Sequence, residues 1–165
     1  MKSRIAVLAS GGGSNLQAIV DHLEQLGARR GGEVVLVASD RSRSGALERA
    51  ARRDIPVAVL ASTKEPGEGG AELDGLLVQH QVARVAADPA RAPGLDRPDG
   101  WPGLVYYRLH GSPRKYWSVY EQARLAQWAR DLKQLPRSTQ AWCVFDNTAA
   151  SGALPNALQV QQLLA

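Results

Sequence analysis

The sequence predicts an α/β protein with a mainly parallel sheet, and three observations carry that prediction. Short apolar, β-branched runs (RIAVLA at 4–9, EVVLVA at 33–38) alternate with amphipathic segments of helical period. The runs are apolar at nearly every position, as strands covered on both faces are. The first run leads through three glycines straight into a helical pattern, the order of a right-handed β-α unit.

The elements follow in chain order as β-α-β-α-β. The strand Arg4–Ala9 precedes a helix over Ser14–Gly27, in which Leu16, Ile19, Val20 and Leu23 recur on one face. Glu33–Ala38 is a second strand. Ser44–Arg53 is a helix opened by the serines at 42 and 44, residue types that cap helix starts. Val57–Leu60 is a third, short strand. The alternation continues less regularly with a helix over Ala71–His80 and strands over Val82–Ala86 and Leu104–Leu109. Next come a helix over Tyr120–Leu135, with Leu125, Trp128, Ala129 and Leu132 on one face, and a strand over Ala141–Phe145. Pro155–Leu164 is the closing helix, with proline tolerated in its first turn.

Composition divides the chain. All four tryptophans, all four tyrosines and the one phenylalanine lie between Trp101 and Phe145. The stretch STKEPGEGGAELDG, 62–75, has the glycine, proline and charge of a linker or long loop. The expected organisation is a first segment over 1–61, a linker over 62–75 and a second segment over 76–165.

Bulk properties narrow the function classes. With 44% hydrophobic and 22% charged residues, the 165-residue chain has the composition of a folded globular protein. The net charge of +4 comes from scattered arginines, and no motif interleaves aromatic with basic residues, so nucleic acid is not expected as a partner. Cys143 is the single cysteine, which excludes an intrachain disulfide and a thiolate metal site. His22 and His80 have no ligand-spaced partners, so no metal is expected. No signal core or long apolar run is present, and a cytoplasmic protein without membrane contact is the expectation. An unpaired sheet edge would favour homo-oligomers.

Two groups of residues are candidates for chemistry. The first is the turn Ser10–Asn15, where glycines allow close backbone approach and the helix start offers free N–H groups to an anion. Its spacing fits neither GxGxxG nor GxxxxGK[ST], and many such turns bind nothing. The second is the set Arg108, His110, Asp146 and Asn147, at the carboxyl ends of expected strands, the rim where parallel α/β folds bind ligands. His110 and Asp146 are candidate catalytic residues, and Arg108 and Asn147 candidate anion ligands. The alternative is structural: Arg108 pairs with Asp146 at a sheet edge, and Asn147 turns the chain into the next helix.

The segments RIAVLASGGGSNLQAIVDHLE and VVLVASDRSRSGALERAARRDIPVAVL resemble the phosphoribosylglycinamide formyltransferase family, a Rossmann-like fold of purine biosynthesis, over roughly residues 4–61. The signature S-G-x-G-S-N-L-Q-A stands at Ser10–Ala18. The resemblance implies a phosphorylated sugar or nucleotide-like ligand held by Gly13, Ser14 and Asn15, with Gly11 and Gly12 shaping the turn. A formyltransferase would also use 10-formyltetrahydrofolate. The family's later N-x-H-P-S-L-L-P motif is not found, which implies that the formyl-transfer machinery is incomplete. The segments LVYYRLHGSPRKYWSVYE and AWCVFDNTAASGALPNAL resemble the YecE-like family, domain of unknown function 72, from about Leu73 onward. That resemblance implies β-α units of a TIM-barrel-like protein and no stated reaction. Together they imply a chimaera whose fragments share one parallel sheet. Phosphosugar binding is the leading functional expectation; the alternatives are a YecE-like module of unknown activity and a structural chimaera with no native function.

Overall fold

The computed structural model describes residues 2–60 and 68–165, which divide into two compact units, 1–82 and 83–165. The described strands pair into two sheets, three strands in the first unit and four in the second, where the sequence had suggested one shared sheet. Both are mainly parallel, as expected.

In the first unit, β1 (Ser3–Leu8), β2 (Gly32–Ser39) and β3 (Val57–Val59) form a parallel sheet in the order β1-β2-β3. β2 is central and takes the apolar run: Leu36, Val37 and Ala38 are all at or below 1% exposure. The helix α1 (Ser14–Leu26) buries Leu16 and Val20. The helix α2 (Gly45–Ala51) buries Ala46, Leu47 and Ala50, and these side chains join Val37 in one core. Ser44 opens α2 as anticipated, its Oγ accepting the Leu47 N–H at 3.3 Å. A third helix, α3 (Glu68–Gln79), starts three residues before its expected position. The expected linker therefore lies partly on 61–67, outside the described residues, and from 68 onward it is helical.

In the second unit the order is β5-β4-β6-β7, from β4 (Ala83–Asp88), β5 (Asp99–Gly100), β6 (Leu104–Leu109) and β7 (Gln140–Phe145). The two-residue antiparallel β5 gave no signal in the sequence, being too short to show a period. The helices α4 (Gln122–Lys133) and α5 (Ala153–Leu164) complete the unit. The core gathers Val105, Tyr107 and Leu109 of β6 with Tyr120, Leu125, Trp128 and Val160, and Phe145 packs against it. Side chains alternate across a strand, so Tyr106 and Arg108 leave β6 on the other face. Trp128 is a core anchor as expected, whereas Trp117 is 47% exposed with the Arg114 guanidinium 4.4 Å over its ring.

Candidate functional sites at two strand ends

The glycine turn follows the carboxyl end of β1. Gly13 precedes α1 with φ 76°, and a Cβ there would stand 2.7 Å from the Ala46 Cα. That position is glycine for reasons internal to the fold. Gly11 and Gly12 are different: a Cβ on either meets nothing within 4 Å, and neither has a left-handed φ. No crowding inside the protein explains them, and both are exposed.

The turn is held from α2. The Ala46 N–H donates to Gly11 O at 3.1 Å, and Gly45 lies so close that its Cβ would come 3.0 Å from Gly12 O. The Arg49 Nε donates to Gly12 O at 2.8 Å, and its other nitrogen reaches Gln17 Oε1 at 3.1 Å. The turn's carbonyls are thus tied inward. Among the described residues no acceptor is found for the N–H groups of Gly12, Gly13, Ser14 and Asn15, and the side chains of Ser14 and Asn15 are exposed. Free N–H groups at a helix start with an arginine alongside favour an anion. The sequence gave no signal that Arg49 meets this turn, because its place depends on how α2 docks.

The second site lies on the carboxyl ends of β6 and β7. One oxygen of Asp146, Oδ2, stands 3.0 Å from His110 Nδ1 and 3.3 Å from an Arg108 guanidinium nitrogen. The backbone fixes this: His110 N–H donates to Asp88 O at 2.8 Å, and Asp146 N–H to Leu109 O at 2.7 Å. The Tyr116 ring meets the His110 ring edge-on, with centroids 5.4 Å apart. Gly111, at φ 92°, lets the chain pass Ser118, whose carbonyl would be 2.7 Å from a Cβ there.

Burial of His110, with Lys115 and Arg108 nearby, lowers its pKa from 6.5 against the opposing pull of Asp146. The ring is therefore neutral near pH 7, with its Nδ1–H donating a hydrogen bond to Asp146 Oδ2. Nε2 has no hydrogen-bond partner among the described residues, and the His110 side chain is 8% exposed.

Three of the four predicted rim residues come together, and Asn147 does not. Its side chain is fully buried, and its amide donates to Ser118 O and Asn156 Oδ1, each at 3.0 Å. The structure places Asn147, expected as an anion ligand, in these buried hydrogen bonds, apart from Asp146 and its two partners. The predicted Arg108–Asp146 pair is present, with the Arg108 side chain 54% exposed. An open cleft of about 450 Å³, lined by Trp101, Leu104, Tyr107 and Leu135 among others, is remote from these groups, at the amino end of β6. Among the described residues, no three His, Cys, Asp or Glu side chains cluster as metal ligands, and no helix is long and apolar enough to cross a membrane.

Comparison with known proteins gives two family matches, which overlap over 67–91. Residues 3–91 match the family model described as formyl transferase, and residues 67–165 that described as protein of unknown function DUF72. The chain belongs to both families. The trifunctional purine biosynthetic protein adenosine-3 of Chironomus tentans is 36% identical over 85 residues, and that of Drosophila pseudoobscura pseudoobscura 42% over 85. These matches take in 49% and 51% of this chain but only 6% of either relative. Among solved structures, a DUF72 family protein of Thermotoga maritima shares the fold, with a TM-score of 0.57, 18% identity, and coverage of 99% of this chain and 74% of that one. Glycinamide ribonucleotide transformylase 1 of Symbiobacterium toebii is 30% identical, with a TM-score of 0.44, covering 68% of this chain and 43% of its own. The glycine turn thus lies in the formyl transferase part, and the His110–Asp146 pair in the DUF72 part.

Proposed function

We propose that the formyl transferase part binds the phosphate of a phosphosugar of purine biosynthesis, glycinamide ribonucleotide, on Gly11, Gly12, Gly13, Ser14 and Asn15. The observation that carries this reading is the pair Gly11–Gly12, glycines that the fold itself does not require, beside unpaired N–H groups at the start of α1. A phosphate oxygen approaching that surface gains charge-assisted hydrogen bonds and the positive end of the helix. The purine biosynthetic relatives that match this part support that class of ligand.

Formyl transfer itself is not assigned. It would need 10-formyltetrahydrofolate and the N-x-H-P-S-L-L-P segment, and the residues present do not fit. The x-His sequence that does stand at a strand end is Arg108-Leu109-His110, with arginine where the motif has asparagine. It lies within the DUF72 match, and His110 Nδ1 faces Asp146. We therefore read the front part as a binding element without complete transfer machinery.

The test is an amide spectrum of the labelled chain titrated with glycinamide ribonucleotide and then with inorganic phosphate. Saturable shifts confined to the amides of 11–15 and their neighbours support the reading. A dispersed spectrum indifferent to both ligands overturns it.

A further inference from the structure

The DUF72 part carries a second arrangement that the phosphate-loop reading does not use. Arg108, His110 and Asp146 lie on the sheet face opposite α4 and α5, at the ends of adjacent strands in register from Leu104↔Gln140 to Leu109↔Phe145. Asp88, at the end of β4, carries its charge on the other side, with Arg124 of α4 3.7 Å from its Oδ1. The groups facing His110 are therefore Asp146, Arg108, Lys115 and Tyr116.

We infer that this rim is a site for a small oxyanion bearing a neighbouring hydroxyl, with Arg108 holding the anion and His110 Nε2 accepting the hydroxyl proton. Asp146 is the positioning residue. By taking the Nδ1 proton in a hydrogen bond, it fixes the neutral tautomer that leaves an electron pair on Nε2. Arg108 commits one nitrogen to Asp146 and keeps the rest of its five donors for a ligand. Because both side chains meet the same Asp146 oxygen, a ligand on Arg108 is brought beside the imidazole.

The balance of the step is simple. The Nε2 electron pair forms the new N–H bond, and the electrons of the broken O–H bond stay on the substrate oxygen. The ring becomes an imidazolium held against the Asp146 carboxylate. Tyr116 supports the geometry from the ring's edge. Its backbone is held at φ 70°, an uncommon conformation for a bulky residue, with its N–H donating to His110 O and its carbonyl accepting from Ala149 N at 3.0 Å. Backbone held in such a conformation clusters at functional sites.

The test reads the His110 ring of the full chain by long-range proton–nitrogen correlation, with inorganic phosphate and glycolate as probes. The expected neutral form carries its proton on Nδ1. Either probe shifts the ring saturably and raises its midpoint of titration, and Arg108→Leu removes the response while Arg108→Lys keeps part of it. A phosphate response without a glycolate response narrows the ligand to phosphate esters, and the reverse narrows it to hydroxy acids. A neutral ring protonated on Nε2, no saturable shift with either probe, or an equal shift in Arg108→Leu overturns the inference. The amides of 11–15 report the phosphate loop in the same spectra, so the two readings fail separately.

Discussion

Asp146 Oδ2 lies 3.0 Å from His110 Nδ1, yet the histidine is harder to protonate than a free one. The hydrogen bond favours the charged ring, but burial with Arg108 and Lys115 nearby outweighs it. The sign for stability follows from proton counting. Below the ordinary value of 6.5 the unfolded chain takes up the proton first, so the contribution of His110 is complete above 6.5 and is lost as pH falls through the folded value. Urea midpoints of the second unit measured from pH 7 to 5 should fall, and His110→Gln should flatten that slope. An unchanged slope would mean that His110 titrates normally.

Gly13 and Gly11 separate fold from function. Gly13→Ala places a Cβ 2.7 Å from the Ala46 Cα at a left-handed φ, and should cost about 1–3 kcal/mol in chemical denaturation. Gly11→Ala meets nothing within 4 Å, so stability should change by no more than about 0.5 kcal/mol. Its phosphate affinity should nevertheless fall, because the added methyl stands on the open side. Equal affinity in Gly11→Ala would remove the chief support for the phosphate reading.

Asn15→Ala should also weaken phosphate binding. A hydrogen bond to a charged group is worth about 1.5–3 kcal/mol, or roughly ten- to hundredfold in affinity. Titration calorimetry with glycinamide ribonucleotide reads the change. Among the described residues the side chain has no partner that its loss would strand, so thermal stability should hold.

Much of this was legible in the sequence because burial and period coincide. β6 matches its expected bounds of Leu104–Leu109, since Val105, Tyr107 and Leu109 alternate with more polar positions. α3 was placed late because Gly69, Gly70 and Gly75 mask a helical pattern. The burial of Asn147 was not legible, because β7 ends at Phe145 and the strand period no longer sets where the next two side chains go. Arg49 and the Tyr116 clamp depend on docking and loop geometry, which no local pattern encodes.

Cys143 tests the packing of the second sheet. Burial pushes its thiol from 9.0 up to about 12, so the native chain holds roughly a thousandfold less thiolate at neutral pH than a free cysteine. Alkylation by iodoacetamide should be correspondingly slow in the folded protein and fast in urea. Rapid native labelling would show that β7 is open to solvent.

The last prediction concerns the buried Asn147–Asn156 pair. Asn156 Oδ1 accepts from the Tyr120 N–H at 3.1 Å and from Asn147 Nδ2 at 3.0 Å, and Asn156 is only 3% exposed. Asn156→Ala strands two buried donors at once, each worth about 1–3 kcal/mol when left unpaired, so a loss of roughly 2–4 kcal/mol is expected. Asn147→Ala should cost less, since it removes the donor together with its need for a partner. The double variant should fall short of the sum of the two, because one shared hydrogen bond is counted in each. Denaturation of all four proteins gives the coupling directly. Strict additivity would mean that the Asn147–Asn156 contact carries no energy. If Asn147 were an anion ligand after all, phosphate would stabilise the parent chain by an amount that Asn147→Ala removes while the amides of 11–15 keep their response. The buried geometry predicts instead that the stabilisation by phosphate is the same in both.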